Sequence, residues 1–230
     1  MKILVACEES QAVTIELRRL GHEAYSCDIQ ECSGGHPEWH IMQDVIPLLD
    51  GYCFFHTRDM KEHYIDGKWD LIIAHPPCTY MSNAGACRMY PKKGQVDSER
   101  LAKALEAKEF FLKFLNADCP RIAIENQRPL KIVGLPMESQ RIQPYQFGEP
   151  FSKLTYLWLK NLPLLVPTNV CDSYKPYLPS GTSRNAGTAY NKGTAYGSKM
   201  RSKTFPGIAK AMAEQWAGQV NEAALKGGEG

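Results

Sequence analysis

Trp69-Asp-Leu-Ile-Ile-Ala-His-Pro-Pro-Cys78 runs from an unbroken apolar segment straight into two prolines and a cysteine. A short apolar run without alternation predicts a strand buried on both faces, as in a parallel sheet. The prolines end the ladder and fix the backbone that follows. Cys78 is therefore expected on a stiff loop at the carboxyl end of a central strand.

The same pattern recurs on both sides of this stretch. Lys2 to Cys7, Glu23 to Cys27 (closed by Asp28), Arg121 to Ile124 and Leu154 to Leu159 all read as strands. Gln11 to Leu20 and Ser98 to Asn116 carry helical apolar spacing. Gly207 to Trp216 does so again, with Ile208, Met212 and Trp216 in line. Strands alternating with helices predict βαβ units and an α/β fold with a mostly parallel central sheet. In such sheets ligands bind beyond the carboxyl ends of the strands. Glu8, Glu9, Asp28, Cys78, Glu125 and Asn126 all fall just past predicted strands.

The 230 residues suffice for one core and a minor appendage. The organisation expected is a core over 1–165, a short basic loop region over 166–203, a helix over 204–220 returning to the core, and a flexible tail over 221–230. The formal net charge of +2 announces no polyanion partner. Between Val166 and Lys203, however, Asp172 faces six bases: Lys175, Arg184, Lys192, Lys199, Arg201 and Lys203. That stretch also repeats Gly187-Thr-Ala-Tyr190 as Gly193-Thr-Ala-Tyr196, which reads as a loop ordered by a polyanion. The eight cysteines lack metal-ribbon spacing, and no secretory or membrane-spanning run is present. A soluble, cytoplasmic, reduced protein is expected.

Taken alone, Cys78 is more readily a packed loop thiol than a nucleophile, and Glu125 more readily a helix cap or ion-pair partner. Together, on neighbouring strand ends, they form a thiol–carboxyl pair suited to attack on an electron-poor ring. His75 is open to three readings: hydrogen-bond partner, plain loop residue or proton shuttle.

His75-Pro-Pro-Cys78-Thr-Tyr-Met-Ser82-Asn-Ala-Gly85 resembles the Pro-Cys-Gln-x-Phe-Ser-x-x-Gly loop of the DNA cytosine-5 methyltransferases. Ile122-Ala-Ile-Glu125-Asn126 resembles the family's Glu-Asn-Val motif, with Gln127 in place of valine. The segments around Asp28, Gln43-Asp44-Val45, Phe147 to Leu159 and Thr204 to Met212 follow in the family's order. The likeness is closest to compact phage-type members.

This resemblance implies an S-adenosylmethionine-dependent methyltransferase (Rossmann-like) fold, a role in DNA methylation and restriction-modification, and double-stranded DNA as partner. It implies Cys78 as nucleophile on C6 of a flipped cytosine, Glu125 at cytosine N3 and Asn126 as loop support. It places the cofactor S-adenosyl-L-methionine against Cys7, Glu8, Glu9, Ser10, Asp28, Asp44 and Pro76. Pro77, Ser82, Lys153 and Thr155 would meet the base, and Lys192, Lys199, Arg201 and Lys203 the phosphates, with Tyr190 and Tyr196 available for stacking.

It implies no metal, although His36, His40, His56 and His63 with Cys87 leave a zinc site as a lesser alternative. Two departures stand out. The family's Phe-x-Gly-x-Gly is here Ala6-Cys7-Glu8-Glu9-Ser10-Gln11, in which Ser10 is expected to cap the next helix. Its Arg-x-Arg is here Lys153-x-Thr155, which removes bidentate donors that Arg141 or Arg128 would have to replace. Three alternatives stay open: an amino-methyltransferase with an Asp-Pro-Pro-Tyr-like loop, a catalytically silent DNA-binding relative, and an enzyme acting on free nucleotides.

Overall fold

The computed structural model describes residues 1–177 and 202–220. A seven-stranded sheet runs through it, built from β1 (Lys2–Ala6), β2 (Glu23–Asp28), β3 (His40–Met42), β6 (Leu71–Ala74), β7 (Ile122–Gln127), β8 (Gln140–Ile142) and β10 (Thr155–Lys160). Its order is β3-β2-β1-β6-β7-β10-β8. β3, β2, β1, β6 and β7 are mutually parallel, whereas β10 runs antiparallel between β7 and β8. This is the α/β, Rossmann-like fold with a mostly parallel sheet that the sequence led us to expect.

Residues along β1 alternate between two cores. Ile3 and Val5 pack with Val13 and Leu17 of α1 (Ala12–Arg19) and with Ile208, Met212 and Trp216 of α4 (Pro206–Trp216). Leu4 and Ala6 face the other layer, where Phe111 and Phe114 of α3 (Ser98–Leu115) pack over Ile72, Ile124 and Trp158. Burial on both faces explains why these strands read as continuous apolar runs rather than as alternating ones.

Sheet order reverses between β1 and β6, because one continues to β2 and the other to β7. A crevice opens at such a switch point, outside the carboxyl ends of the strands. Ala6 pairs with Ala74 there, so Cys7 and His75 leave the sheet side by side.

The structure corrects several boundaries. β1 stops at Ala6, and Cys7 starts the following loop in the left-handed region, at φ 58. Glu125 and Asn126 do not follow a strand but lie inside β7, lengthened by its antiparallel pairing with β10. β3, β8 and a hairpin of β4 (Cys53–His56) and β5 (Glu62–Ile65) had no counterpart in the sequence reading. The 166–177 segment adds only β11 (Lys175–Pro176), paired with β9 (Phe151–Ser152). Lys192, Lys199 and Arg201, the Tyr190 and Tyr196 repeat and the 221–230 tail lie outside the described residues.

Gly207 has a specific packing reason. A Cβ there would lie 1.8 Å from the Phe147 carbonyl oxygen, so the first turn of α4 seats only with glycine.

Candidate active site

The loop after β6 is tied down at each step. The His75 N–H donates to the Ala6 carbonyl at 2.9 Å, extending the β1–β6 ladder by one bond. Pro76 and Pro77 have no N–H, and the Pro76 carbonyl accepts from Asn126 Nδ2 at 3.0 Å. The Cys78 carbonyl then accepts from Met81 N at 3.1 Å and Ser82 N at 2.9 Å, closing a turn. The far side of that turn docks on the segment after β7, through Asn83 N to Arg128 O at 2.8 Å and Leu130 N to Met81 O at 2.8 Å. Cys78 is thus presented by a backbone anchored to three strands.

Two cavities adjoin at this loop. The first, about 340 Å³, is walled by Pro76, Ser82, Glu125, Asn126, Gln127, Lys153, Arg88 and Arg100. The second, about 450 Å³, is walled by Cys7, Glu8, Glu9, Ser10, Asp28, Gln30, Lys203 and Thr204. His75, Pro77, Cys78, Thr79 and Ser202 line both. A group held in one cavity and a group held in the other would meet at Cys78.

The charges here are coupled. His75 Nδ1 lies 3.0 Å from Glu125 Oε2, with both side chains largely buried. Burial alone would push the Glu125 carboxyl up, yet the hydrogen bond and charge of His75, with help from Lys153, hold it below the usual range. For the Cys78 thiol, burial and the Glu125 charge push upward, and Lys153 and a Ser82 hydrogen bond only partly oppose them. Burial likewise pushes the Lys153 ammonium down, against the pull of Glu125 and Cys78. Lys153 is the cation whose charge acts on the Cys78 thiol.

Glu8 and Ser10 both line the second cavity, but Glu8 takes the capping part expected of Ser10. Ser10 does not cap α1. Instead the buried Glu8 carboxylate accepts from Val13 N at 2.7 Å, Thr14 N at 3.3 Å and the Thr14 hydroxyl at 2.7 Å. It takes up donors of the helix's first turn, where the helix dipole also favours a negative charge. The loop turns without glycine: Cys7 and Gln11 adopt left-handed φ of 58 and 59. Gln11 then clamps the loop after β2, through Nε2 to His36 O at 2.8 Å and His36 N to its Oε1 at 3.1 Å. Gly34 permits that approach, since a Cβ there would lie 2.6 Å from Gln11 Cβ.

Several expected residues sit elsewhere. Asp44 accepts from Ile46 N at 3.0 Å and is not a wall of either cavity. Thr155 is buried with its hydroxyl on the Lys153 carbonyl at 3.1 Å. Pro76 faces the first cavity rather than the second. Lys203 lines the second, its Nζ donating to Ser33 Oγ at 2.9 Å. Arg141 pairs with Glu138 and stacks over Tyr156, and neither it nor Arg128 reaches the first cavity. Arg88 of α2 (Ala86–Met89) and Arg100 of α3 bring the added cations, which nothing in their helical spacing marked.

Among the described residues no group of three or more His, Cys, Asp or Glu could hold a metal ion. His36 stacks on Trp39, His40 bonds Ser26 and Gln30, His56 pairs with Glu62, and His63 bonds Tyr25 and Thr57. No helix of the described residues is long and apolar enough to cross a membrane.

No protein-family model matches the chain, and a search of curated proteins found no match. Among solved structures it is similar to a protein from E. coli described as a prophage-encoded DNA modification methyltransferase, at 13% identity and a TM-score of 0.41. That alignment covers 74% of this chain and 51% of the other. It is also similar to a mutant of DNMT2 from Spodoptera frugiperda, at 16% identity and a TM-score of 0.35, over 77% of this chain and 55% of the other. The chain spans about half the length of the structures it resembles.

Proposed function

We propose that the protein transfers a methyl group from S-adenosylmethionine to C5 of a flipped cytosine in duplex DNA, through a covalent bond between Cys78 and C6. The observation that carries this reading is the position of Cys78 on the wall shared by two cavities, with Glu125 in one and Asp28 in the other.

The second cavity suits the donor. Its roughly 450 Å³ lies within the ~300–1,000 Å³ usual for small-ligand sites. Asp28, at the end of β2, offers a carboxylate for ribose hydroxyls, and Glu9 offers one to a cationic group. The left-handed turn at Cys7 supplies a backbone bend that glycine makes elsewhere. When bound, the donor supplies a methyl group on a positively charged sulfur.

In the first cavity, Lys153 offsets the charge of the Cys78 thiolate as its electron pair adds to C6. Glu125 meets N3 and the exocyclic amine of the flipped base, and the ring electrons gathered at C5 become nucleophilic. Once C5 carries the methyl group, loss of the C5 proton to a solvent water lets the thiolate leave and restores the ring. Arg88 and Arg100 at the wall of the cavity suit the phosphates flanking the extruded nucleotide.

Duplex DNA carrying 5-fluorocytosine tests this directly. With S-adenosylmethionine, the wild type should form a denaturant-stable adduct that Cys78→Ala does not form. Methyl transfer to an amino nitrogen, or transfer to cytosine C5 without an adduct, would refute the covalent reading. Transfer to free dCMP but not to duplex DNA would refute the DNA substrate.

A further inference from the structure

His75 occupies a position that the thiol chemistry alone does not explain. Its side chain is only 10% exposed and lines both cavities. Nδ1 is 3.0 Å from Glu125 Oε2, while Nε2 is buried with no hydrogen-bond partner among the described residues. The charged groups acting on the ring are Glu125 of β7, Glu8 of the β1–α1 loop and Lys153 before β10. Burial raises the Glu8 carboxyl and lowers the Lys153 ammonium, whereas Glu125 is held ionised beside the ring, so Glu125 is the group that favours an imidazolium. Burial pushes the imidazole down, but the hydrogen bond and charge of Glu125, then the charge of Glu8, hold it above its ordinary value.

This arrangement creates a requirement. An ionised Glu125 is acceptor-only, and N3 of neutral cytosine is an acceptor too. Two acceptors cannot bond without a proton between them.

We propose that His75 is the proton store for base activation, delivering the Nδ1 proton through Glu125 to cytosine N3 as Cys78 attacks. The proposal rests on the cytosine reading of Cys78 and Glu125. The N–H bond at Nδ1 breaks as an O–H bond forms on the Glu125 carboxyl, and that acid protonates N3. The Cys78 thiol first gives its proton to solvent, and the thiolate pair then forms the S–C6 bond while the C5–C6 π pair moves to C5 and into the ring. His75 ends neutral, Glu125 ends as carboxylate and the base adduct carries no net charge. On elimination of Cys78 the N3 proton returns by the same route, so none is consumed. Because His75 acts through Glu125, it is a positioning and proton-holding residue rather than one that touches the base.

Two measurements on the full chain test this. Ring ¹⁵N resonances should show His75 as an imidazolium at pH 7, and as neutral imidazole in Glu125→Gln. A neutral His75 at pH 7 in the wild type would overturn the proposal whatever the activity. In single-turnover methylation of duplex DNA, His75→Gln keeps an N–H for Glu125 but holds no transferable proton. Its rate at pH 7 should fall about 10²-fold with the half-saturating DNA concentration little changed, and the gap should close towards pH 5 as solvent protonates Glu125. An equal loss at every pH, or no loss, would show a structural role only and overturn the proposal. If the wild type methylates no cytosine while His75 is an imidazolium, the proposed function has failed and the N3 step fails with it, leaving only the ion pair standing.

Discussion

Asn126 Nδ2 donates to the carbonyl of Pro76 at 3.0 Å, binding the interior of β7 to the loop that carries Cys78 two residues later. The Asn126 side chain is buried and its Oδ1 accepts from Gln127 N at 2.7 Å, so the amide has one fixed orientation. Asn126→Ala leaves a buried carbonyl unpaired, at a cost of about 1–3 kcal/mol. It also frees the loop, and a shift of about 1 Å in a reacting atom can cost ~10²-fold in rate. Urea unfolding of the variant should show the stability loss. Adduct formation, measured where the protein is fully folded, should slow by more than that loss explains. An unchanged adduct rate would show that the two prolines hold Cys78 without the tether.

Lys153 opposes burial and Glu125 at the Cys78 thiol. Removing it in Lys153→Met should move the pH midpoint of Cys78 alkylation by iodoacetamide upward from the wild-type value, with Lys153→Arg moving it less. The thiolate, not the thiol, reacts, so alkylation at pH 7.5 should slow as well. A midpoint that stays put or falls would take Lys153 out of the thiolate's surroundings.

Gly207→Ala tests how rigidly α4 closes the sheet. The new Cβ would meet the Phe147 carbonyl at 1.8 Å, which a backbone oxygen can relieve only by moving the helix start. Overpacking of this kind costs about 1–3 kcal/mol, a fall of several degrees in melting temperature for a chain of this size. Full thermal stability would mean that α4 slides freely on Phe147.

Most of the sheet was legible because its strands are buried on both faces. Leu71 to Ala74 and Ile122 to Ile124 admit no other reading once prolines or charges end them. β3, the β4–β5 hairpin and β8 were not. His40–Met42 is a short edge strand held by Ser26, Cys27 and Asp28, and Phe54 and Tyr64 of the hairpin point to solvent, which breaks the apolar pattern. At the site, Cys78 and Asp28 could be located by their places at strand ends, whereas β7 runs on through Glu125 to Gln127 because of its pairing with β10. The cap that Glu8 gives α1 could not be read, because it depends on the left-handed turns at Cys7 and Gln11, which no propensity assigns to those residues. Nor could the His75–Glu125 bond, a contact across fifty positions set by strand pairing alone.

That bond gives the fold a pH window. Glu125 has its carboxyl held below its ordinary 4.5, so its contribution to stability is present above 4.5 and lost as pH falls through the folded value. His75 is held above its ordinary 6.5, so its contribution is full below 6.5 and lost as pH rises through the folded value. The two overlap fully between about 4.5 and 6.5. The double variant His75→Gln/Glu125→Gln keeps the volume and removes both charges. Its unfolding free energy, compared with the wild type by urea titration at a series of pH values, should therefore trail furthest within that window and draw closer on either side. Replacing a buried pair with neutral groups can raise or lower stability overall, so the prediction concerns the shape of the difference and not its sign at one pH. A difference that is flat from pH 4 to 9 would mean that the pair is not ionised in the native protein.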